Sequence, residues 1–284
     1  MGQHYHREVK KRPLNCLCQT DAWDDPDWRM VSRLLGVPQD EGWLHRKTFE
    51  WVQCVYGLER LGALGEDRRA LGVGAGHECV LYYLANRTRL TVATDLYGGA
   101  FAGSLAAEAD PAFLTAPQQF APFRYHEDRL RGLPADGLAL PFGDATFDVV
   151  YSLSSIEHFG GHDKAALAIG EMARVLTPGG VVCVATEYVM EGGQHGEYFT
   201  EDDLTHWILA ASPDLSLVEP IDLTPPDRKY FDDPVRLPEE PFHTPHVVLA
   251  ISDWRFTSIV LFFTKTVPAR GRLRSLASAI RHPS

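Results

Sequence analysis

Through the middle of the chain, short apolar runs alternate with segments of helical period. Residues 69–73, 90–94, 147–153 and 181–189 are such runs, and 130–133 is a weaker one. Residues 78–86 and 164–176 place apolar side chains three and four apart. Continuous apolar strands separated by helices predict a parallel sheet with right-handed crossovers. Upstream, two helices are expected between Trp28 and Leu64, broken at Gly36-Val37-Pro38. Leu44, Trp51, Val55, Leu58 and Leu61 fall near one face of the second, which suits packing or the covering of a cleft. Downstream, Thr200 reads as the N-cap of a helix through Leu209 with an acidic first turn. Strand-like runs follow at 215–221, 246–251 and 256–264, with a Pro-, Asp- and Glu-rich inserted loop at about 222–245. The pattern divides the chain into a helical extension at 1–64, a main domain at 65–268 and a basic tail at 269–284.

Composition narrows the classes. An apolar content of 45% over 284 residues suits one large α/β domain with additions. No apolar run approaches the roughly 20 residues of a membrane span, and the N-terminus lacks the apolar stretch of a secretory signal. A cytoplasmic protein without stable membrane insertion is expected. Five cysteines at irregular spacing argue against a disulfide framework. Cys16-Leu17-Cys18 is too close for a common zinc pair, so no metal is expected. The net charge of −11 disfavours nucleic-acid binding. Basic segments at 7–12 and at Arg270, Arg272, Arg274 and Arg281 read as solvated ends.

The candidate chemistry centres on the glycine-rich segment from Ala70 to Glu78. Gly74 and Gly76 suit a strand-to-helix turn where a ligand approaches the backbone without a Cβ in its path. Asp95 ends the second strand 19 residues after Gly76, a spacing that suits a carboxylate beside a ribose or, more plainly, one capping a turn. Asp136 precedes Leu140-Pro141-Phe142 and is placed to accept from the exocyclic amine of an adenine. Phe147-Asp148-Val149-Val150 leads into Glu157-His158, and Arg174-Val175-Leu176-Thr177-Pro178-Gly179-Gly180 precedes the next strand. A nicotinamide or flavin fingerprint would need a glycine where Cys79 stands.

In this order, the segments resemble the class I S-adenosylmethionine-dependent methyltransferases. The resemblance runs from about Ala70 to Val189. It implies a Rossmann-like, mostly parallel seven-stranded sheet flanked by helices, with S-adenosyl-L-methionine as cofactor. It also implies that Gly72, Gly74, Gly76, Glu78, Asp95, Leu96, Asp136, Gly137 and Ser154 surround that cofactor. Two departures stand out. Gly72 occupies the position where an acid is usual, and Glu78 replaces the third glycine. Glu78 would meet the methionine ammonium or simply begin the helix. A protein that binds the cofactor without catalysis is the different-class alternative.

Methyl transfer from a sulfonium is an in-line displacement, so the protein aligns the partners and excludes water. A hydroxyl acceptor also needs a base, for which His158, His195 and Glu187 are the candidates. His162 and Asp163 lie near His158, but the carboxylate pair of a metal site is not evident. Residues His45-Arg46-Lys47 and Phe256-Thr257-Ser258-Ile259 resemble bacterial methyltransferases associated with cell-surface sugar assembly. A saccharide or small-molecule hydroxyl is therefore the expected acceptor, with an amine as the alternative. A homodimer is compatible with the sequence.

Overall fold

The computed structural model describes residues 12–38, 44–98, 109–241 and 243–267. Its centre is a parallel sheet. Strands β2 (Gly65–Val73), β3 (Thr88–Asp95), β4 (Leu130–Pro134), β5 (Phe147–Leu153) and β6 (Leu176–Glu191) pair in the order β4-β3-β2-β5-β6. Order reverses between β2 and β5, which opens a crevice above their carboxyl ends, where such sheets bind ligands. Strand β10 (Trp254–Lys265) closes the parallel set by pairing antiparallel with β6. β7 (Leu215–Leu217) joins the far side of β10.

The expected sheet had seven strands; among the described residues it has ten. Three short additions also lie against or beyond β10. β1 (Cys16–Leu17) pairs with it from within the expected helical extension. β8 (Val235–Arg236) comes from the Pro-rich insertion and pairs parallel with β9 (Leu249–Ile251), which pairs with β10. The two-residue strands β1 and β8 carry too little periodicity to stand out in a sequence, whereas β9 falls within the expected run 246–251. The basic tail at 269–284 lies outside the described residues.

Helices α1 (Pro26–Leu34) and α2 (Arg46–Arg60) precede the sheet. Asp25 caps α1 by accepting the Asp27 and Trp28 N–H groups, and Pro26 stands at its first position. α2 packs on β10 closely enough that a Cβ on Gly57 would lie 2.2 Å from the Phe262 ring. α3 (Cys79–Arg87) and α4 (His162–Val175) are crossover helices. Apolar clusters on both faces of the sheet bury Leu71, Val73, Val149, Tyr151, Val182 and Val184, which explains the continuous apolar strands. The expected cap at Thr200 is present as a reciprocal capping box with Asp203. Among the described residues no helix is long and apolar enough to cross a membrane.

Candidate functional site

β2 ends at Val73, and the chain turns with φ of +62° at Gly74 and +48° at Gly76. Such values favour glycine, and a Cβ on Gly74 would also sit 2.7 Å from the Ser155 Cβ. The Ser155 hydroxyl donates to the Gly74 carbonyl at 2.7 Å, tying the turn to the end of β5. Asp95 ends β3 beside it. Its Oδ2 accepts the Gly76 N–H at 2.9 Å and its Oδ1 accepts the Leu96 N–H at 2.7 Å. Burial pushes this carboxyl above its ordinary range, while those backbone N–H groups pull it down. A recess of about 200 Å³ runs outward from here, lined by Gly74, Asp95, Leu96, Asp136, Gly137 and Phe159. Exposed Asp136 accepts the Leu138 N–H at 2.8 Å, which orders the rim.

The recess shares Gly74, Asp95 and Phe159 with a larger cavity of about 630 Å³. Gly76, Glu78 and Ser154 line that cavity too. Ser154 adopts φ +49° and leaves its buried hydroxyl without a hydrogen-bond partner. A glycine cradle, a strand-end carboxylate and an orphan hydroxyl fit a nucleoside joined to a charged tail. Gly72 is a correction: it lies within β2 and lines neither space. A Cβ there would meet the Ala75 Cβ at 2.7 Å and the Tyr151 hydroxyl at 2.9 Å, so Tyr151 fills the volume an acid would need.

Beyond Ser154 the cavity changes character. Arg46 and Lys47 enter from the first turn of α2, and Glu187 enters from β6, which extends past it. Arg46 pairs with Glu187 at 2.5 Å and with Glu50 at 3.1 Å. Lys47 pairs with Glu50 at 3.0 Å and Glu78 at 3.3 Å, and donates to the Leu153 carbonyl at 2.6 Å. Glu50 also accepts from Ser258, and its neighbours hold it below the ordinary carboxyl range against the effect of burial. Glu78, Glu157 and Glu187 go the other way, each raised by burial to about 7. Each keeps one buried carboxylate oxygen without a hydrogen bond.

Among the expected bases, His158 lines the cavity, with Nδ1 3.4 Å from Glu197 and Nε2 4.0 Å from Glu157. Glu187 lines it as well. His195 does not. Its Nδ1 accepts the Glu197 and Tyr198 N–H groups, both at 3.1 Å, and its ring stacks on Tyr198, so it shapes a turn. Residues that the sequence reading left out of the site include Glu50, Glu157, Tyr198 and His246. His246 lines the cavity and stacks on His45 at 4.1 Å, and burial lowers the pair to about 3 and about 4 respectively. Among the described residues no cluster suited to a metal ion is found.

Residues 71–184 match the family model described as a methyltransferase domain. A stretch of 79 residues is 40% identical to "Probable tRNA methyltransferase 9B" of Homo sapiens, covering 27% of this chain and 17% of that protein. Another of 55 residues is 46% identical to demethylmenaquinone methyltransferase of Thermus thermophilus, covering 19% and 24%. The chain thus spans no more than a quarter of the length of these relatives. A geranyl diphosphate methyltransferase solved with S-adenosylmethionine shares the fold, with a TM-score of 0.51 at 15% identity over 82% of this chain and 94% of that one. Residues 71–184 therefore match a methyltransferase domain, on a fold shared with an S-adenosylmethionine-dependent enzyme. The cofactor is S-adenosyl-L-methionine.

Proposed function

We propose that the protein transfers the methyl group of S-adenosyl-L-methionine to a small-molecule acceptor. The supporting observation is the single cavity that runs from Gly74 and Asp95 past Ser154 and His158 to Glu187, Tyr198 and Phe256. The glycine turn and Asp95 would hold the adenosine, and Glu78 with Lys47 would face the methionine end. When bound, the cofactor supplies an electrophilic methyl group. The chain's own part is to align the acceptor, exclude water and take up a proton. Both segments behind the sugar expectation reach this cavity, Arg46 and Lys47 from one and Phe256 from the other. That placement supports a saccharide-sized acceptor. An alcohol would arrive neutral and an amine charged, so the charge of the far end bears on which is taken.

The named relatives act on different acceptors, and their matched stretches are short. A tRNA acceptor is the second reading, motivated by the human relative's name. The net charge of −11 and the carboxylates in the cavity favour a small molecule instead. Calorimetry with S-adenosylmethionine and S-adenosylhomocysteine, followed by transfer of labelled methyl to small-molecule extracts and to total tRNA, tests both. Binding with label in the small-molecule fraction is expected. Absence of cofactor binding overturns the proposal, and label confined to tRNA replaces its acceptor.

A further inference from the structure

Charge is unevenly shared in the cavity wall and directly behind it, where Glu50 and Glu157 stand. Glu50 is matched by Arg46, Lys47 and the Ser258 hydroxyl. Glu78 leans on Lys47 and on the Trp51 indole N–H, and belongs to the methionine end. That leaves Glu157 and Glu187 with only Arg46 and Lys47 as nearby cations, both already engaged by Glu50. Glu157 is fully buried and Glu187 is 2% exposed, and neither Glu157 Oε1 nor Glu187 Oε2 has a hydrogen-bond partner. A buried carboxylate oxygen without a partner costs more than a satisfied one unless a donor arrives. Beside Glu187 the cavity wall turns aromatic: the Tyr198 and Phe256 rings lie 4.6 Å apart and both line it. Carboxylate and ring faces together are the surroundings that a desolvated ammonium prefers.

We infer that the acceptor is a small molecule carrying a protonated amine, received by the Glu187 carboxylate between Arg46, Tyr198 and Phe256. This rests on the methyl-transfer reading and narrows its acceptor. The surplus carboxylate accepts one ammonium proton. The freed nitrogen lone pair then forms the nitrogen–carbon bond as the carbon–sulfur bond breaks, its electron pair remaining on sulfur. Positive charge passes from sulfur to nitrogen, and the proton rests on Glu187. A neutral alcohol would leave the surplus charge and the open lone pairs uncompensated.

The other titratable neighbours set the sign of the pH dependence. Burial raises Glu187 to about 7, with Arg46 and Lys47 opposing and Glu157 and Glu50 reinforcing. Tyr198 is raised above its ordinary value by burial and by Glu187 and so stays neutral. His246 is held neutral by burial and by His45 and Arg46. His158 lines the cavity between Glu157, 4.0 Å away, and Glu197, 3.4 Å away. A cation therefore binds better as the carboxyls ionise, that is, as pH rises through about 7.

The test uses the full chain loaded with S-adenosylhomocysteine, whose sulfur is neutral. Two probes are titrated by NMR: choline and 3,3-dimethyl-1-butanol, its uncharged isostere. Choline should bind roughly tenfold or more tightly. Its affinity should rise roughly tenfold from pH 6 to pH 8, as a carboxyl near 7 goes from about one-tenth to about nine-tenths ionised while choline does not titrate. Glu187→Gln should erase both the preference and the rise but keep S-adenosylhomocysteine affinity. Glu157→Gln gives a second reading of the same effect if the first variant does not fold. Equal affinity for the two probes in the loaded wild type overturns the inference alone, as does a Glu187→Gln protein that keeps the preference. Failure of the wild type to bind S-adenosylhomocysteine overturns the methyl-transfer reading beneath it.

Discussion

The cofactor end of the cavity is shaped by main chain and one strand-end carboxylate, whereas the far end is lined by charged and aromatic side chains. At the first end, Gly74, Gly76 and Asp95 come from two adjacent βα turns of one parallel sheet. At the second, Arg46, His158, Glu187 and Phe256 come from α2, the turn after β5, β6 and β10. On the proposed function, the first end recognises a ligand by shape and backbone polarity and the second recognises charge. Acceptor choice can therefore diverge through side chains while the turn that holds the nucleoside stays intact.

The sharpest way to break this contrast is to rebuild the turn as the usual pattern has it. Gly72→Asp restores the acid that the resemblance leads one to expect, yet its Cβ would press on Ala75 and Tyr151. We expect cofactor binding to be lost and thermal stability to fall, by about 3 kcal/mol from overpacking alone. A soluble variant that binds S-adenosylhomocysteine normally would show that Tyr151 does not fill that volume.

Smaller effects probe the two ends separately. Ionising the buried carboxyls opposes folding of the ligand-free protein, because burial raises Glu157 and Glu187 to about 7. Their contribution is fully present below the ordinary carboxyl range and is lost as pH rises through about 7. Glu157→Gln should therefore melt roughly 2–4 °C above the wild type at pH 8, with the gap closing by pH 5. A gap that is the same at both pH values would mean that Glu157 does not titrate in this range. Asp136 is the mildest test of the cofactor end. It is exposed and already closes its own turn, so Asp136→Asn should weaken binding only about two- to fivefold. That loss should be smaller for an analogue without the 6-amino group; an equal loss would assign Asp136 to the turn.

The same contrast explains what the sequence disclosed. The glycine turn, Asp95 and Asp136 are local features, each set by its distance from a strand end, and they come together on the same crevice. The parallel strands were legible because burial on both faces makes them continuous apolar runs. The far end was less legible because its partners lie distant in the chain: Arg46 meets Glu187, and Ser258 meets Glu50. Arg46 and Lys47 entered the sequence reading only through a resemblance to sugar-associated enzymes, and nothing local shows that Lys47 reaches the Leu153 carbonyl. His195 misled in the opposite sense. A histidine in a glycine-rich loop suggests a mobile catalytic group, but two backbone N–H groups hold its ring. The insertion misled as well, since Val235–Arg236 within it extends the sheet.

The division between the two ends is tested most directly by titrating S-adenosylhomocysteine into the wild type, Asp95→Ala and Glu187→Gln by calorimetry. Asp95→Ala removes the carboxylate that the proposed site offers to the ribose and should weaken binding roughly 10- to 100-fold, about 1.5–3 kcal/mol. Glu187→Gln, which leaves the cofactor end untouched, should bind within about twofold of the wild type. The opposite pattern, with Asp95→Ala unchanged and Glu187→Gln impaired, would contradict the account by placing the cofactor at the charged end of the cavity.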